Sequence, residues 1–140
     1  MTKDFWLNLP VKNVKRSREF FTKMGFSFNP RFGEDANMAA LVIGDKNVVV
    51  MLCEEPAFQQ YISNPIADAK QTTKVLMSID AKSKEEVDEM AQKAITARGA
   101  SNHQPSEMNG WMYGCVFTDP DGHNWNVLHM DMSKLSAQGI

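Results

Sequence analysis

The residues in this chain best suited to chemistry are three histidines, two cysteines and one lysine at the start of an apolar run. His103, His123 and His129 are of the type that binds divalent metals. Their spacing fits neither a short ligand motif nor one helix face, so only tertiary proximity could gather them. His123 follows a tight turn and reads as a local cap of it. Cys53 and Cys115 would be nucleophiles only beside a cation that lowers their pKa. Neither has such a neighbour in sequence, so both read as small buried hydrophobes. Lys74 could serve as a base if desolvation lowered its pKa; equally, it could lie in water at a strand start. The acidic run Glu85, Glu86, Asp88 and Glu89 is a solvated face near a helix N-terminus. Asn126 poses the sharpest question. In VFTDPDGHNWNVLHM (116–130) it sits mid-strand among apolar residues. It could be the remnant of a metal site, a ligand contact, a partner for a neighbouring backbone group or a solvent-facing residue.

Elements must position these side chains. Residues 5–11 (FWLNLPV) alternate as a strand, with Phe5, Leu7, Leu9 and Val11 on one face and Pro10 marking an edge or end. Asn13 is an N-cap for a helix whose apolar stripe is Val14, Ser17, Phe20, Phe21 and Met24, stopped by Gly25. A weak strand (26–32) follows, and then a hairpin, 38–44 and 47–53, turning at Gly44-Asp45-Lys46. Residues 54–72 read as a linker with a short helical turn near Phe58, Tyr61 and Ile62. The order then repeats. A strand at 73–80 precedes a helix with a capping box, Ser83 to Glu86, the stripe Val87, Met90, Ala91, Ala94 and Ile95, and a stop at Gly99. A possible strand at 100–104 and a hairpin of 111–119 and 123–130, reversed by Asp119-Pro120-Asp121-Gly122, complete it. The whole reads as one α+β domain of two βαβββ modules, 4–53 and 73–130, with linker 54–72 and tail 131–140. A helix on one sheet is too little to close a core. Two modules related by a pseudo-twofold axis could join into an open cup-shaped sheet.

Bulk properties narrow the classes. A formal net charge of −2 and the absence of a long basic run give no footprint for nucleic acid or an anionic membrane. No apolar run approaches the ~20 residues that span a bilayer. The N-terminus lacks a secretory pattern, and two cysteines do not make a disulfide scaffold. The reading is cytoplasmic. Ten methionines supply flexible filler, most of it ordinary core.

The layout resembles the vicinal oxygen chelate superfamily of glyoxalase I, bleomycin-resistance proteins and extradiol dioxygenases. The resemblance is carried by Leu9-Pro10-Val11, Ser17, Phe20-Phe21 and Gly25-Phe26 in the first half. In the second it is carried by Asp119-Pro120-Asp121-Gly122-His123 and the strand after it. The branch it is most similar to is that of bacterial predicted lactoylglutathione lyases. The resemblance implies two βαβββ modules in an open cup, and a homodimer. In metal-dependent members the ligands lie on the first and last strand of each module. Carried over, those positions fall on Trp6, Met51 (with Cys53 next on its face), Lys74 and Asn126. An indole cannot ligate, a thioether is soft, an ammonium repels a cation and an amide binds weakly, so the expectation is no metal and no cofactor. With these positions facing the cup, its lining would be Trp6, Asn8, Val49, Met51 and Cys53 from the first module. The second would give Lys74, Leu76, Ser78, Asn126 and Leu128. The opposite, helix-covered faces would hold Phe5-Leu7-Leu9-Val11, Val48-Val50-Leu52, Val75-Met77-Ile79 and Trp125-Val127. A mostly apolar cup with few polar groups suits a small-molecule ligand. The functional expectation is therefore a metal-free binding protein for an amphiphilic or aromatic molecule. Sequestration of a cationic drug, as in bleomycin-resistance relatives, would be opposed by Lys74. The alternative is a lyase or isomerase acting on a small carbonyl substrate, for which the carried-over positions offer no carboxylate base.

Overall fold

The computed structural model describes residues 1–31, 33 and 36–134. Phe32, at the end of the expected weak strand, and residues 135–140 of the tail lie outside it. The chain divides into two compact units, Met1–Thr72 and Thr73–Ile140. Each is an α+β unit with an open four-stranded mixed sheet.

In the first unit β1 (Leu7–Val11), α1 (Val14–Met24), β2 (Ser27–Phe28), β3 (Met38–Ile43) and β4 (Val48–Glu54) follow in order, with α2 (Glu55–Gln59) after them. The sheet order is β1-β4-β3-β2, with β1 parallel to β4 and the other pairs antiparallel. α1 forms where its caps and stripe require it. Asn13 accepts the Arg16 N–H at 3.1 Å, and Val14, Ser17, Phe20, Phe21 and Met24 are all buried. Glu54 Oε2 accepts the Val14 N–H at 3.0 Å, tying the end of β4 to the positive end of the helix. The apolar stripe covers Leu9, Val11, Val50, Leu52, Ala39 and Leu41, which are nearly inaccessible. Pro10 sits on an edge strand, as its missing N–H demands.

The second unit repeats the order with β5 (Leu76–Asp80), α3 (Lys84–Thr96), β6 (Ala100–Met108), β7 (Met112–Thr118) and β8 (Asn124–Met130). The sheet order is β5-β8-β7-β6, with β5 parallel to β8. Val87, Ala91 and Ala94 of α3 are buried, and the core beneath includes Cys115, Phe117, Trp125 and Val127. Phe117 and Trp125 stack at 6.2 Å.

Several expectations need correction. The first strand of each module starts later than its apolar alternation suggests, at Leu7 and Leu76. Trp6 and Lys74 therefore precede strands rather than belonging to them. Phe5, Val48 and Val75 are exposed, not helix-covered, because they lie at or beyond strand ends where no helix reaches. Ile95 is exposed too, one residue off the buried Ala91–Ala94 line. β2 is only two residues long, whereas β6 runs to Met108, through Pro105. β6 is an edge strand with register shifts, so it tolerates the missing N–H. Ser83 caps α3 by accepting the Glu86 N–H at 3.1 Å. Glu86 Oε2, which a full box could turn back, is buried without a hydrogen-bond partner.

The two helix ends differ instructively. Each closes with the same pair of bonds: Phe26 N–H to Phe21 O and Gly25 N–H to Thr22 O in α1, Gly99 N–H to Ala94 O and Arg98 N–H to Ile95 O in α3. The left-handed position is Gly25 (φ 99°) in the first and Arg98 (φ 73°) in the second, so Gly99 is one residue past the place its type suits. A side chain at this position is strained. Arg98→Gly is expected to stabilise the protein by about 0.5–1 kcal/mol, less than the full strain because glycine also loosens the unfolded chain. Urea unfolding with an unchanged midpoint would show that Arg98 is compensated elsewhere.

Candidate functional site

The face of the first sheet turned away from α1 floors a concavity of about 950 Å³. Strand register builds that floor row by row. Met51 lies opposite Ala40 on one side and Asn8 on the other, and Cys53 lies opposite Met38 and Pro10. The Asn29 N–H bonds Ala40 O at 2.9 Å, extending the Met51 row past the end of β2. Val49 adds a further apolar residue. One wall comes from α2 and its exit, with Phe58, Tyr61 and Ile62; another comes from the lead-in to β1, with Asp4, Phe5 and Trp6. Trp6 is 53% exposed, and its ring is free to meet a ligand. Asn29, Arg31 and Asn47 contribute polar groups from loops.

Trp6, Asn8, Val49, Met51 and Cys53 thus stand around one concavity within the first unit. In the second unit, Leu76, Ser78, Asn126 and Leu128 lie on the sheet face opposite α3. Ser78 pairs with Asn126, and the Asn126 amide donates to Ser78 Oγ at 3.2 Å. Asn126 therefore has a side-chain partner across the strand pair, not a backbone one. Lys74 is exposed, two residues before β5. The strand of 112–118 turns Tyr113, Cys115 and Phe117 toward α3: the Tyr113 hydroxyl donates to Asp88 at 2.7 Å and Cys115 Sγ donates to Val87 O at 3.8 Å. Met112, Gly114 and Val116 take the other face.

Sequence reasoning missed Met38, Ala40, Asn29 and Arg31, and treated Phe58, Tyr61 and Ile62 as linker. The hairpin at Gly44–Asn47 held the signal for the first two: once Ile43 faces Val48, Ala40 must face Met51. No periodicity marks a loop such as Asn29–Arg31.

The titratable groups follow their surroundings. Burial raises the Cys53 thiol pKa, helped by Glu54, and raises that of Cys115 to about 11, helped by Asp88. Both are free thiols held in the protonated, unreactive form. His129 Nδ1 donates to Ala81 O at 3.1 Å, since a carbonyl can only accept. His103 is exposed on edge strand β6. His123 belongs to the turn, its N–H bonding Asp119 Oδ1 at 3.1 Å.

The model of the Glyoxalase/Bleomycin resistance protein/Dioxygenase superfamily matches residues 5–127. The chain belongs to this superfamily. Among solved structures of similar fold is a hypothetical protein from S. aureus. It is 32% identical, with TM-score 0.81 and coverage of 92% of this chain and 95% of that one. A glyoxalase/bleomycin resistance protein/dioxygenase family enzyme from Burkholderia phytofirmans PsJN is 18% identical, with TM-score 0.72 over 89% and 96% of the two chains. A glyoxalase-related enzyme from Fulvimarina pelagi is 13% identical, with TM-score 0.77 over 92% and 88%; at these identities the last two show the fold alone. No curated protein matches the chain.

Some members of this superfamily use a metal, and the residues here can be tested against one. Trp6 and Met51 in the first unit offer an indole and a thioether. Lys74 and Asn126 in the second offer an ammonium and an amide already bonded to Ser78. Among the described residues, no group of three or more His, Cys, Asp or Glu side chains is placed to hold a metal ion. This donor set does not fit a hard or borderline divalent cation. No described helix is long and apolar enough to cross a membrane.

Proposed function

We propose that this superfamily member is a metal-free binding protein that holds a small amphiphilic or aromatic molecule in the concavity of its first unit. The lining carries the reading. Met38, Ala40, Val49, Met51 and Cys53 form an apolar floor beside the rings of Trp6 and Phe58, with a few amides at the margin, the usual character of a small-molecule site. The alternative, a lyase or isomerase of the lactoylglutathione lyase kind, needs a base beside a carbonyl. Among the described lining residues Asp4, in the exposed lead-in, is the one carboxylate. Resemblance adds that the protein works as a homodimer, for which light scattering at micromolar concentration is the check.

The test uses anilinonaphthalene sulfonate, an apolar aromatic probe. It is expected to bind the folded protein saturably and to quench Trp6 emission. Met51→Glu, which places a charge on the half-buried floor, is expected to abolish binding while unfolding stays cooperative. Added Ni²⁺ or Zn²⁺ is expected to leave the melting temperature unchanged, because only a ligand of the native state raises it. A stoichiometric metal in the purified protein, or lactoylglutathione formation lost in Asn126→Ala, would overturn the reading.

A further inference from the structure

The polar groups around the first unit's concavity are not scattered. Along the Asn29, Ala40, Met51, Asn8 row the two ends are amides and the centre is apolar. With neighbouring strands about 4.8 Å apart, the two amides are separated by about 14 Å. Between them is room for a flat body of two fused rings, over the half-buried Met51 at the centre. Among the described residues, the β2 end of the row offers a ligand mainly donors. Asn29 Oδ1 accepts the Arg31 N–H at 3.0 Å, which takes one of its two lone pairs and fixes how the amide is turned. Its NH₂ group is a donor that a ligand can meet. Arg31, two residues on and also in the lining, adds a guanidinium with donors only. The loop bearing both is tied to α1: Arg18 Nη2 donates to Gly33 O at 3.2 Å and Met38 O at 3.4 Å, and its guanidinium lies 5.3 Å from the Phe28 ring centroid. Among the described lining residues the carboxylate is Asp4, which precedes β1, at the opposite edge of the sheet.

We propose that the ligand is an aromatic or otherwise flat apolar monoanion, a carboxylate in the simplest case. Its ring system lies on the Ala40–Met51 floor, and its carboxylate is taken by Arg31 and the Asn29 amide at the β2 edge. This rests on the binding function proposed above and adds orientation and charge to it. The Arg–carboxylate fork supplies two parallel charge-assisted bonds. The acid at the far edge disfavours the reversed pose.

Calorimetric titration with 2-naphthoate and with 2-naphthamide separates the two claims, because the probes share a ring system and differ in charge. The wild-type protein is expected to bind naphthoate about tenfold more tightly than naphthamide, the size of effect a charge-assisted pair supplies. Arg31→Ala, at an exposed position, should reduce that ratio to about one, and Arg31→Lys should keep part of it. Asn29→Asp retains the acceptor for the Arg31 N–H but replaces the NH₂ donor by an oxyanion; it should lose naphthoate and keep naphthamide. Equal binding of the two probes, or a ratio that survives Arg31→Ala, would overturn the anion assignment and leave the binding function standing. Failure of both probes to bind would overturn both.

Discussion

Asp119→Ala is expected to lower the unfolding free energy by on the order of 3 kcal/mol, a large share of the stability of a domain this size. The side chain is 4% exposed and holds three donors. Oδ1 accepts the Asp121 and His123 N–H groups at 3.0 and 3.1 Å, and Oδ2 accepts Trp125 Nε1–H at 3.1 Å. The first two bonds shape the reversal between β7 and β8. The third satisfies the indole of a tryptophan that is only 1% exposed and stacked on Phe117. Alanine leaves that indole N–H buried without a partner, and an orphaned buried donor costs more than a bond contributes. Asp119→Asn keeps an acceptor for the two backbone groups but turns an NH₂ toward the indole N–H, so it should cost less than alanine but still destabilise. The pH dependence separates charge from shape. Burial raises the Asp119 pKa, against the lowering effects of His123 and the Trp125 bond. A carboxyl with a raised folded pKa contributes stability that is complete below its unfolded pKa and is lost as pH rises through the folded one. The cost of Asp119→Asn should therefore be larger near pH 4 than near pH 7. A loss under about 1 kcal/mol for alanine in urea unfolding would show that water replaces the carboxylate.

What the sequence made legible follows a physical line. Helix α1 was readable to the residue because its cap, stripe and left-handed stop are local signals that agree. The module order was readable for the same reason. Strand starts were not, since Phe5-Trp6 and Lys74-Val75 continue a period-two pattern, whereas pairing begins only at Leu7–Val50 and Leu76–Asn124, and where pairing begins is a non-local fact. The open-face residues Asn8, Val49 and Met51 came from strand alternation, once the family resemblance implied which face is open; alternation survives small errors in strand ends. Arg31 could not be found this way: it sits in a loop, and its relation to Asn29 depends on a turn that no alternation reports. Asn126, the polar residue that seemed to need a reason, has a cross-strand one in Ser78.

Gly114 shows how a single absent side chain can decide the packing of a sheet face. It lies mid-strand in β7, opposite Leu128 and Ser106. A Cβ built there would stand 2.6 Å from Val127 O, 2.7 Å from Leu128 Cδ2 and 2.9 Å from Met108 Cε. The two side-chain ends can swing away. The carbonyl cannot, because it belongs to β8, whose ladder to β7 runs from Met112–Met130 to Thr118–Asn124. Relief would require the strands to part at the centre of the sheet. Gly114→Ala is expected to cost about 2 kcal/mol, the overpacking penalty less the entropy that alanine removes from the unfolded chain. Gly114→Val should exceed about 3 kcal/mol, despite the higher strand preference of valine. Adding Met108→Ala removes one of the three obstructions. If the carbonyl decides, the double variant Gly114→Ala/Met108→Ala should recover almost nothing in urea unfolding. Full recovery would shift the cause to the methionine and show that the β7–β8 ladder gives way more easily than its hydrogen bonds imply.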